Sequence, residues 1–95
     1  MKPRLTLEEH QDLGLSLACV RDELQKRTIQ LANAYPQAGP EAVPEELLKE
    51  ALKTLESVRY ELDKMMFDEY PDDGTPEVYY PEDGQRATWR PLRQR

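Results

Sequence analysis

The chain has 95 residues, 38% of them hydrophobic and 34% charged, with a formal net charge of −6 at pH 7. That length holds one small domain and excludes a second independent core. The low apolar share suits elongated helices with much exposed surface, and the negative charge disfavours nonspecific nucleic-acid binding.

The first element is announced by "LTLEEH". Thr6 is placed to cap a helix, and Glu9, three residues on, to complete a capping box. Leu13, Leu17, Val20, Leu24, Leu31 and Ala34 then follow helical steps of three and four, interrupted at Arg27. His10 extends that row backward by three and reads as a boundary residue of the core. Gly14, Ala18 and Ala32 form a small-residue flank where another helix could come close. Pro36 disfavours helical geometry at Tyr35, so the helix is predicted over 7–34, about 40 Å long.

"YPQAGPEAVP" breaks the pattern with three prolines and a glycine in ten residues. Pro44 suits a first helical position, with Glu45 and Glu46 behind it. Leu48, Ala51, Leu52, Leu55, Val58, Leu62, Met65 and Met66 make the second stripe, which Leu47, Tyr60 and Phe67 widen. Pro71 ends it, giving a helix near 44–69. Two helices of matched length joined by a proline-rich loop of about eight or nine residues, at the long end for helix–helix connections, predict an all-α fold: an antiparallel two-helix hairpin over 1–70. One hairpin covers only part of each stripe. Leu13, Leu17, Val20 and Leu24, with Leu55, Val58, Leu62 and Met66, are therefore expected to form a dimer interface that closes a four-helix bundle.

The remaining segment, 71–95, contains a near-repeat: Tyr70-Pro71-Asp72-Asp73-Gly74 returns as Tyr80-Pro81-Glu82-Asp83-Gly84. Each copy has the composition of a type I turn whose glycine takes positive φ. The first copy would stop the second helix. The second would fold "EVYY" against "QRATW" as a β-hairpin, with Tyr79 opposite Arg86 and Val78 opposite Ala87; the alternative is an extended polar arm. Such an arm either presents its aromatics to a partner or folds back to cap the helices.

The chain offers little chemistry. "EEH" at 8–10 suggests a metal, but the Glu-x-x-His spacing of di-metal bundles is absent, because Leu7 and Leu13 flank His10 at three. Ser16, Ser57 and Cys19 share one histidine and no orienting pattern, and no glycine-rich loop cradles phosphate. No catalytic residue, cofactor or metal is expected. One cysteine excludes an internal disulfide. "MKPRLTLEEHQ" has no apolar run resembling a signal peptide, and no stretch nears the ~20 apolar residues of a membrane span, so a soluble, cytoplasmic protein is expected. Arg86, Arg90, Arg93 and Arg95 surround Trp89, a pattern that could grip nucleic acid, but five acids and no base over 71–85 would repel the same backbone.

The hairpin shape, the length and the Tyr79-x-x-x-Asp83 spacing resemble secreted proteins of the WXG100 type. That resemblance implies a secreted helical hairpin. The central turn "YPQAGP" lacks the Trp-x-Gly of those proteins, and Trp89 lies in the tail. The residues themselves favour a non-catalytic protein–protein interaction module, a small regulatory or adaptor protein. Its helices would self-associate, and Tyr70, Tyr79, Tyr80, Trp89 and Arg90 would contact a protein partner, since aromatics and arginine dominate binding hot spots.

Overall fold

Thr6 begins the first helix as its spacing to Glu9 predicts. The Thr6 hydroxyl accepts from the Glu9 amide at 3.0 Å, and the Glu9 carboxylate accepts from the Thr6 amide at 2.9 Å. The computed structural model describes residues 3–88. In it α1 spans Leu7–Ala34, α2 spans Val43–Glu69 and a short α3 spans Asp83–Thr88. The two long helices match the spacing-based bounds, except that α2 starts one residue early on a 3₁₀ turn at Pro40–Ala42. Gly39 turns the chain into it at φ 81°, a conformation that costs glycine little.

α2 returns alongside α1. The start of α1 meets the end of α2, with His10 Nε2 2.9 Å from Glu69, while Arg21 Nε lies 3.7 Å from Glu56 further along. The molecule is elongated, 49 × 28 × 23 Å.

No strand occurs among the described residues, and the expected β-hairpin of the arm is replaced by a 3₁₀ turn at Pro76–Val78 and by α3. The two copies of the repeat diverge because their downstream neighbours differ. After the first, Pro76 lacks an amide donor and holds Thr75 extended at φ −133°, ψ 158°, so no helix propagates. After the second, Gln85-Arg86 can wind. The Gln85 side chain accepts from the Glu82 amide at 3.1 Å while the Gln85 amide donates to the Glu82 carbonyl, a helix-start arrangement. The expected positive φ is also absent at Gly74 and Gly84; Gly39 is the one positive-φ glycine among the described residues. The first copy does end α2, with the Gly74 amide donating to the Tyr70 carbonyl at 2.9 Å.

The arm forms a third layer. Met66 and Tyr79 are fully buried and Val78 nearly so, with Leu7, Leu13, Leu62 and Phe67 packed around them. The core therefore lies where α1 begins and α2 ends, roofed by residues 78–79. Among the described residues no helix is long and apolar enough to cross a membrane.

Candidate functional site

The arm docks on features distributed over both long helices. Gly14 is buried on α1, and a Cβ there would collide with the carbonyl oxygen of Val78, so only glycine allows the arm backbone to lie this close. One helical turn earlier, His10 is also buried. The Tyr79 hydroxyl donates to His10 Nδ1 at 2.5 Å, and His10 Nε2 donates to the Glu69 carboxylate at 2.9 Å. An ionised carboxylate only accepts, which assigns the proton to Nε2 and leaves Nδ1 to receive the phenol. The rings of Tyr70 and Tyr79 both meet His10 edge-on, with centroids at 6.0 and 5.7 Å.

Arg59 secures the same residue from α2. Its Nε and Nη2 donate to the Tyr79 carbonyl at 3.3 and 2.8 Å, and its Nη1 donates to Glu56 at 2.8 Å. A buried guanidinium is tolerated because each of its three nitrogens donates to an acceptor, one of them a carboxylate. Arg59 also stands 4.7 Å from the centre of the Tyr80 ring, a cation–π contact. Tyr70 donates to the Leu5 carbonyl at 2.8 Å. At the far end Arg86 donates to Asp22 at 2.7 Å, to the Pro81 carbonyl at 2.8 Å and to Asp83.

Between the arm and the helices lies an open cleft of about 300 Å³ lined by Arg21, Arg59, Arg86, Asp22 and Glu56 among others. Its guanidinium groups already hold carboxylates or carbonyls of this chain, so the cleft fastens the arm. Cys19 beside it, half-buried, has its Sγ 3.5 Å from the Arg86 carbonyl. Burial, then Glu69 and Asp63, push the Tyr79 phenol up to about 12. The Asp63 carboxyl is raised by burial, and its Oδ1 is buried with no hydrogen-bond partner among the described residues. The hydrogen bond that Arg86 donates to Asp22 does most to hold its guanidinium charged, against a smaller opposing effect of burial. Among the described residues no three His, Cys, Asp or Glu side chains gather as a metal-binding group.

The sequence-predicted residues divide between roles. Tyr79, expected as an exposed partner contact, is instead the largest fully buried side chain, and Tyr70 is half-buried. Tyr80 is exposed; Trp89 and Arg90 lie outside the described residues. Of the expected dimer positions, Met66 is enclosed within the single chain, and Leu13 and Leu62 border the same cluster. Leu17, Leu24 and Leu55 are half-buried, and Val20 and Val58 are exposed. Sequence reasoning missed the His10–Tyr79–Glu69 chain and the grip of Arg59. Both left a trace: His10 continues an apolar row, and Arg59 stands seven residues from Leu52 and from Met66 on the inward face of α2.

Comparison with known protein families, with curated proteins and with solved structures finds no match in any of the three.

Proposed function

We propose that the protein is a non-catalytic protein–protein interaction module, a small regulatory or adaptor protein. Its long helices act as an antiparallel hairpin that self-associates into a four-helix bundle. The observation that carries this reading is the set of large apolar side chains left exposed on the two long helices once the arm has docked. Leu47 is 58% exposed, Met65 50%, Val20 44% and Val58 42%. Apolar surface gathered along helices in this way favours burial against another protein.

The arm serves first as a clasp, and of its described aromatics Tyr80 faces outward, beside Tyr60, for contact with a protein partner. A cytoplasmic setting belongs to the same reading. Light scattering of the full chain at micromolar concentration tests it. A dimer is expected, and Val20→Glu with Val58→Glu should disperse it while far-ultraviolet circular dichroism stays helical. A wild-type chain that remains a stable, cooperatively melting monomer overturns self-association.

A further inference from the structure

The exposed side of α2 carries a second row, separate from the one that meets α1, in which Leu47, Ala51, Val58 and Met65 are apolar and Thr54 and Glu61 polar. Residues 47, 51, 54, 58, 61 and 65 advance by alternate steps of four and three, the spacing of a coiled-coil seam. All six are exposed. At 100° per residue this seam lies about a third of a turn from the inward row of Leu52, Arg59 and Met66. Leu48, Leu55 and Leu62, all half-buried, form the border between the two rows.

We infer that this seam pairs with the same seam of a second copy, antiparallel, about a two-fold axis passing near residue 56. The inference rests on the self-association proposed above and specifies its partner face and register. In a two-fold contact, if residue i meets residue j, then j also meets i. Antiparallel register sets Met65 on Leu47 of the second copy, Val58 on Thr54, and Ala51 on Glu61, each twice. The small Ala51 leaves the Glu61 side chain room to turn out to water.

The two borders complete the match. On one side Leu48 meets Leu62 of the second copy, and Leu55 meets its own equivalent at the axis. On the other, Glu50 meets Lys64 of the second copy twice, and Ser57 meets its equivalent. Glu50 is exposed and has no ion-pair partner among the described residues; Lys64 is 56% exposed and 3.7 Å from Glu61 on its own helix. A parallel pairing in the same seam would stack Glu61 on Glu61 inside the contact and offer Glu50 only leucine across the border. Charge and seam together select the antiparallel arrangement.

Disulfide trapping reads the register directly, in a Cys19→Ser background so that the introduced thiols act alone. Ser57→Cys should cross-link to itself under mild oxidation. Glu50→Cys should not, because its two copies stand about 21 Å apart at 1.5 Å rise per residue. Glu50→Cys mixed with Lys64→Cys should cross-link. Separately, Glu50→Lys and Lys64→Glu should each weaken dimerisation by about tenfold, and the two together should restore it. Self-linking of Glu50→Cys as readily as Ser57→Cys overturns the register in favour of a parallel pair. A dimer indifferent to both charge reversals, with no trapping at Ser57, overturns this seam while leaving self-association intact. A chain that is monomeric throughout removes the underlying reading itself.

Discussion

At position 14 a single methyl group decides whether the arm can dock. Gly14 receives the Val78 carbonyl so closely that Gly14→Ala must push the arm off α1 or distort both elements. Urea unfolding should register a loss of about 1–3 kcal/mol, the range for forcing extra atoms into a packed site. Tyr79 offers a second readout. Its folded-state phenol, at about 12, stands above the ordinary value of 10.0, so the neutral form is favoured by the fold. That contribution is intact below pH 10.0 and is lost as the pH rises through about 12. Tyr79→Phe should flatten this alkaline loss. It should also cost about 1–3 kcal/mol at neutral pH, because His10 Nδ1 is left buried without its donor. Burial raises the Tyr80 phenol as well, so ultraviolet absorbance should show the variant losing the tyrosine that ionises near 12 while Tyr80 still ionises late.

The elements are legible in the sequence to the degree that they are local. A capping box, a 3.6-residue period and a proline break are all signals within one helix, and the bounds of α1 and α2 come from them. The arm departs from its expected hairpin because its turn vocabulary has two outcomes. Pro-Glu-Asp-Gly reads equally as a hairpin loop or as a helix start, and the choice rests on Gln85 reaching back to Glu82 and on no proline standing close behind. Gly84 separates the readings. A hairpin turn needs its positive φ, so a side chain there would be harmful. In α3 it lies inside a helix, with no heavy atom within 4 Å of where a Cβ would sit. Gly84→Ala should therefore be neutral or stabilising by up to about 1 kcal/mol in thermal denaturation, and should leave the arm docked.

On the scale of the molecule, the candidate site is a set of long-range pairings that no periodicity announces. His10 and Tyr79 are 69 positions apart, Tyr70 and Leu5 65, and Arg86 and Asp22 64. What the residues do convey is imbalance: an arginine on the inward face of α2, and a histidine and a glycine on an otherwise apolar or small-residue flank of α1. Each marks a place where backbone or a polar tip from elsewhere completes the environment. Because Val78 and Tyr79 belong to the core, a chain ending at Tyr70 should lose stability as well as arm contacts. Its helicity should fall and its melting broaden, where an ornamental arm would leave both unchanged.

The placement of the roof at residues 78–79 also sets an order of events at the ribosome. His10 leaves the exit tunnel 69 residues ahead of the phenol that completes it. At about 5–20 residues per second, that interval lasts roughly 3–14 s. Within it α1 can wind first and α2 behind it, and the cavity awaiting Tyr79 is complete only once Glu69 has followed, so that it stands open for the last ten residues, roughly 0.5–2 s. The nascent chain thus passes through a stage with its secondary structure made and its core unsealed. How long chaperones and proteases have access to that stage is governed by the speed of translation.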